Sequence, residues 1–308
     1  MKKKRALLTA AFALAAACAV PPAMGQATGA DVSPQRMERL LDKAKKADSA
    51  CEGGCGMMQT LDKHGITPRL VSSAQLDVLA PGQGAYIVGR QQGNKMYLNG
   101  SYGDDKLLET FAHETRHVWQ KRDAGMMVAG MSPRQAILLN RYREADAFAF
   151  GIYFTYQYEK STGKTLVKVP DDPRDIGKMH PYQQMYAMFK FDMEIGMPLD
   201  AAYRSLLRHT FKHVQNVDYD GDLLEALEKN PIPGLKMDDA AFLAKLRQMG
   251  STDFGKSPSV LSVWTDADMV SLEKTGGISP ENLARLQKLE VMEPAAKQPK
   301  TPQSPPQP

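Results

Sequence analysis

Five consecutive residues, His113-Glu114-Thr115-Arg116-His117, have the types and spacing of a metal site that carries its own base. On a helix, residues four apart stand one turn above each other, so the two imidazoles project from one face and can grip one ion. Neutral imidazoles hold Zn²⁺ without cancelling its charge. A carboxylate beside them is suited to take a proton from metal-activated water. This is the pattern H-E-x-x-H. In a chain with 6 His its chance occurrence is on the order of 0.004.

The elements that must position these groups are legible around them. Leu107, Leu108, Phe111, Thr115, Val118 and Trp119 recur at helical spacing and predict a helix over 105–122. A second helix is predicted to begin with a Ser132 cap and Pro133 in its first turn and to run to Lys160. The intervening loop contains Gly125 and Gly130, and its length lets the second helix return antiparallel to the first. That return would bring Glu144 onto the histidine pair and complete a His2Glu ligand set with one position open for substrate. Gln120 shares the face of His113 and His117, where it would either orient a ligand or simply hydrogen-bond water. Arg116 is placed to pair with an acid of the second helix. His180, Tyr182, His209 and His213 are candidates for stabilising an oxyanion. His209 and His213 form a second one-turn pair, but it lacks the internal Glu and two imidazoles alone are an incomplete metal site.

Taken together, these motifs resemble the gluzincin-type zinc metallopeptidases. The likeness is greatest to uncharacterised metallopeptidase families with an H-E-x-R-H-x-x-Q helix and a downstream E-x-D-A helix. His113, Glu114, Arg116, His117 and Gln120 match the first motif, and Glu144, Asp146 and Ala147 match the second. The matched region is roughly residues 83–160. The resemblance implies a single catalytic zinc on His113, His117 and Glu144, with Glu114 as general base in peptide-bond hydrolysis. It implies a peptide or protein substrate, and a cleft bordered by the strand that precedes the motif helix. On that reading the edge near Lys95–Asn99 would pair with an extended peptide. One departure stands out. Familiar gluzincins place a supporting Asp four residues after the ligand Glu, whereas Asp146 follows Glu144 by two, which is about 200° round a helix. Either Glu144 is the ligand and Asp146 supports another element, or Asp146 is itself the ligand; the reading favours Glu144.

The rest of the 308 residues sets the context. The net charge is +4, but Lys2, Lys3, Lys4 and Arg5 supply all of it, and the remainder is balanced at 35 basic against 35 acidic residues. Global electrostatics therefore give no support to a nucleic-acid partner. Residues 1–25 have a basic start, the apolar run Ala6–Val20 and the small residues Ala23 and Gly25, which is the layout of a bacterial secretory signal peptide. Cleavage after Gly25 predicts a periplasmic or secreted chain with no stable membrane insertion. Lipoprotein processing before Cys18 is the weaker alternative, because Leu14 lies one residue too far upstream. Cys51 and Cys55 would then remain as a disulfide pair across a Gly-rich turn.

The predicted organisation is an N-terminal helical segment over 26–82, a zincin-like domain over 83–250 with a helical C-terminal part, an ambiguous stretch with one short helix over 251–293, and a Pro-rich tail over 294–308. The fold class is α+β, mostly α, with a small β-hairpin (Ala85–Arg90 and Lys95–Asn99 around the turn QQGN) before the motif helix. The tail is expected to be a spacer or to recruit a partner. Two readings from other classes compete. One is a non-catalytic exported zinc-binding or interaction protein. The other is a copper- or zinc-binding module built on Met and His. The 18 Met include the pairs Met57-Met58 and Met126-Met127, whose isolation favours packing over copper.

Overall fold

A computed structural model describes residues 30–51, 55–79, 88–125, 131–170, 172–179, 181–216, 219–229, 238–250, 269–272, 274–275 and 277–291. The segment 1–25 expected to be a signal peptide, Met126-Met127, His180 and the Pro-rich tail lie outside these residues. Among the described residues no helix is long and apolar enough to cross a membrane.

Helices dominate among the described residues, and the sheet there has three strands. The helices are α1 (Pro34–Ala50), α2 (Met57–His64), α3 (Ser73–Leu79), α4 (Asp104–Arg122), α5 (Pro133–Thr162), α6 (Pro173–Ile176), α7 (Pro181–Glu194), α8 (Leu199–Asn216), α9 (Tyr219–Lys229), α10 (Asp239–Gly250) and α11 (Pro280–Val291). The strands are β1 (Thr67–Val71), β2 (Gly89–Gln92) and β3 (Lys95–Asn99).

Two helices make the scaffold of the site. The motif helix α4 has Asp104 and Asp105 in its first turn and Lys121 and Arg122 in its last, so both ends complement the helix dipole. Helix α5 opens with a full capping box, Ser132 and Gln135 each bonding the other's backbone, with Pro at its first turn. It closes on Gly163, whose φ of 66° is the left-handed conformation of a helix stop. Helix α5 is buried along nearly its whole length, which explains why it shows no clean amphipathic stripe. The two helices run antiparallel, as contacts at Glu109 with Gly151, Arg116 with Asp146 and Gln120 with Arg143 show. Gly151 lets them approach, since a Cβ there would meet Glu109 Oε1 at 3.1 Å and its backbone oxygen at 3.3 Å.

The sheet has the order β1-β3-β2. Strand β2 pairs antiparallel with β3 (Gly89 opposite Leu98, Gln92 opposite Lys95). Strand β1 pairs parallel with β3 (Thr67 opposite Lys95, Val71 opposite Asn99). Two expectations are corrected here. The hairpin turn is the two-residue Gly93-Asn94, with Gly93 at φ 60°, so the first strand extends to Gln92. Residues 85–87 of that expected strand lie outside the described residues. Lys95–Asn99 is also the central strand, with hydrogen-bonding partners on both sides, and so cannot accept a peptide by strand addition.

One hydrophobic cluster runs from Met37 through Leu107, Phe111, Tyr142 and Phe154 to Leu286 and Leu289. The N-terminal helical segment and the C-terminal helix therefore share one core with the residues between them. Cys51 and Cys55 are joined as a disulfide with a Cα separation of 5.3 Å. Asp48 caps α2 by accepting from the backbone of Met57 and Met58. Arg141 fastens α5 to distant chain. Its guanidinium bonds the Asp220 carboxylate and donates to the carbonyl oxygens of Leu272 and Thr275, each at 3.2 Å.

Candidate metal centre

His113 and His117 project from α4 toward α5, and Glu144 meets them from the other side. His113 Nε2 and His117 Nε2 are 3.0 Å apart. Glu144 Oε2 is 3.3 Å from His117 Nε2 and 3.7 Å from His113 Nε2. Among the described residues this is the group of His, Cys, Asp and Glu that can hold a metal ion. Three ligands about 2.0–2.1 Å from a tetrahedral ion lie about 3.3–3.4 Å from one another. The observed triangle brackets that value. Glu144 Oε2 makes no hydrogen bond although it is buried, which leaves its lone pairs available to an ion. The donor set and the geometry therefore fit an ion. Burial pushes the Glu144 carboxyl up, but His117 and His113 outweigh it and hold it below the usual carboxylate range.

A chain of hydrogen bonds sets the tautomer of His117. The Gln120 amide donates through Nε2 to the Arg143 carbonyl oxygen (2.9 Å) and to Asp146 Oδ2 (2.8 Å). Those two donations turn its Oε1 toward His117 Nδ1, 2.7 Å away. An amide oxygen only accepts, so His117 carries its proton on Nδ1 and presents the lone pair of Nε2 to the site. Asp146 also takes a two-pronged bond from Arg116, Nε to Oδ2 at 2.7 Å and Nη2 to Oδ1 at 3.0 Å. The Arg116 guanidinium stacks over Trp119, 4.1 Å from the ring centroid. Of the two alternatives left open by the sequence, this geometry supports the first: Glu144 faces the histidines, and Asp146 supports α4 through Arg116 and Gln120.

Glu114 has a different environment from either ligand. It is fully buried and neither carboxylate oxygen has a hydrogen-bond partner. Burial pushes its carboxyl up to about 7, against the opposing pull of His113 and Lys121. Strand β2 lies directly over it. A Cβ on Gly89 would meet Thr110 Cγ2 at 2.4 Å and Glu114 Cγ at 3.1 Å, so only glycine lets β2 sit there. Gly89→Ala is expected to cost about 1–3 kcal/mol of stability through overpacking. A denaturant melt with an unchanged midpoint would show that β2 lies elsewhere.

The remaining candidates sort by position. Phe148 packs edge-on against His113 (centroids 4.6 Å apart) and against His213 (5.3 Å), so His213 reaches the site through a phenyl ring. Tyr182 lies away from it, with its hydroxyl 3.3 Å from Thr155 Oγ1 and Lys106 over its ring. Met57 is buried in the core, as the packing reading expected. Sequence reasoning passed over three cations that the fold gathers here. Arg143 and Lys121 each exert their charge on Glu144, and Lys121 and Arg90 exert theirs on Glu114. Their proximity was hidden because β2, α4 and α5 each contribute one. Compared with known proteins, the chain matches no family model, no curated sequence and no solved structure.

Proposed function

We propose that this chain is a zinc-dependent metallopeptidase with a zincin-like core, acting on a peptide or protein substrate. His113, His117 and Glu144 hold the ion. The N2O donor set suits zinc, and three members among the described residues suit an ion that keeps a position for substrate better than a closed structural site. When bound, zinc supplies Lewis acidity that polarises a carbonyl and makes water a competent nucleophile at neutral pH.

The observation that carries the reading is Glu114. A buried carboxyl with two unpartnered oxygens costs stability unless something arrives to use it. Attack of water forms a bond from its oxygen to the scissile carbon. Glu114 accepts the proton that water gives up and passes it to the amine nitrogen as the carbon–nitrogen bond breaks. A group that must both take and return a proton works best with a pKa near the operating pH, and burial moves Glu114 that way. His117 needs no reorganisation, because Gln120 already fixes its tautomer. The same proposal places the mature chain in the periplasm or outside the cell, on the strength of the basic, apolar and small-residue layout of residues 1–25.

The test is to load the chain from residue 26 onward with zinc and to offer it a complex peptide mixture. New peptide ends are expected, lost with a chelator and restored by zinc. One bound zinc per chain without any cleavage would favour the non-catalytic zinc-binding reading.

A further inference from the structure

Beside the metal ligands lies a buried guanidinium that is not fully satisfied. Arg143 is 6% exposed, and its Nε has no hydrogen-bond partner. Its backbone is fixed, since its carbonyl oxygen accepts from Gln120. The next residue along α5 is the ligand Glu144. Arg143 sits close enough to Lys121 that its charge opposes that of the lysine. Lys121 is tied to the edge strand by a single bond from Nζ to Gln91 Oε1 at 3.2 Å. Arg116, one turn before Gln120, shows how this protein settles a buried guanidinium: it gives Arg116 a carboxylate, Asp146. Among the described residues no carboxylate is hydrogen-bonded to Arg143, and Glu144 meets it only through its charge.

Lys121 and Arg143 both act on the Glu144 carboxylate, and Lys121 acts on Glu114 as well. A divalent ion on Glu144 would add further positive charge. Two cations held near each other, one of them buried, repel unless an anion lies between them, and a guanidinium fork matches a carboxylate with two parallel bonds.

We propose that Arg143 and Lys121 form an anion subsite adjoining the metal centre, which takes a carboxylate of the substrate and makes the protein selective for acidic peptides. The proposal rests on the peptidase reading for its ligand being a peptide. The carboxylate has two sources, an acidic side chain near the scissile bond or the peptide's own C-terminus. The first would make an endopeptidase with acidic preference and the second a carboxypeptidase.

The test measures binding rather than turnover. The zinc-loaded Glu114→Gln variant, which holds peptides without consuming them, is titrated calorimetrically with three blocked pentapeptides of alanine. One has a central Glu and an amidated end, one a central Gln and a free carboxylate, and one a central Gln and an amidated end. At least one anionic peptide is expected to bind tenfold or more tightly than the neutral one. Adding Arg143→Met should remove that preference while the neutral peptide binds as before, and Arg143→Lys should keep part of it. Should Arg143→Met fail to fold, as judged by circular dichroism, Lys121→Met is read in its place, with a smaller loss expected. Equal binding of all three peptides overturns the subsite. So does a preference that the neutralised cation leaves undiminished, since the carboxylate would then be bound by the metal alone. Selective binding of an anionic peptide by a wild-type chain that cleaves nothing would keep the subsite and sink the peptidase reading.

Discussion

Glu114→Gln is expected to lower turnover of any peptide that the zinc-loaded chain cleaves by about 10²–10⁴-fold, the usual worth of a positioned general acid–base. Metal content should stay at the wild-type level. The two expectations separate because Glu114 stands apart from the triangle of ligand atoms and makes no hydrogen bond through either oxygen. No structural partner is lost, and the amide fills the same space. The variant should also be at least as resistant to denaturant as wild type, since it removes an unpaired carboxyl from a buried site next to the Glu144 carboxylate. Kinetics, metal analysis and a denaturant melt on one preparation decide the matter. An unchanged rate would remove Glu114 from the mechanism. Loss of metal along with activity would make it a ligand.

How far the sequence could be read depended on whether a feature was local. The motif helix and α5 were legible because their caps and apolar spacing lie within a few residues of one another, and the observed bounds, Asp104–Arg122 and Pro133–Thr162, fall close to those expected. The angular argument about Glu144 and Asp146 needed only the pitch of a helix, and the structure divides the two residues between ion and support accordingly. Strand β1 was not legible. Its segment, Thr67–Val71, contains Pro68, which argues against a central strand. Among the described residues it pairs with β3 alone, at an edge, where a proline is tolerated. That unread strand turned Lys95–Asn99 from an edge into a centre. The cations of the site were missed for a related reason. In sequence, Arg90, Lys121 and Arg143 are ordinary charged residues of three separate elements. Only the antiparallel docking of α4 on α5 and the contact at Gly89 bring them together.

The other large effect concerns which residues hold the ion. Wild type is expected to bind about one zinc per chain, the number that one His2Glu site holds. Both His113→Ala and Glu144→Ala should lose it. Each removes one corner of a triangle whose edges are 3.0, 3.3 and 3.7 Å, and two corners alone make an incomplete site. Asp146→Asn should behave differently. It touches no ligand directly, but it holds Arg116 and, through Gln120, the tautomer of His117. Support of this kind is usually worth 10–100-fold in metal affinity. Uncovering the Arg116 charge, which is 2% exposed, should also cost about 3–5 kcal/mol of stability. The expected signature is thus a variant that still binds one zinc, more weakly, and unfolds much more easily. Metal analysis after dialysis against a graded chelator series, with a melt of each apoprotein, separates the roles. If zinc stays with Glu144→Ala and leaves with Asp146→Asn, then Asp146 is the ligand. α5 would then have to present the opposite face to the histidines, and the hydrogen-bond chain from Asp146 to His117 would have to be abandoned.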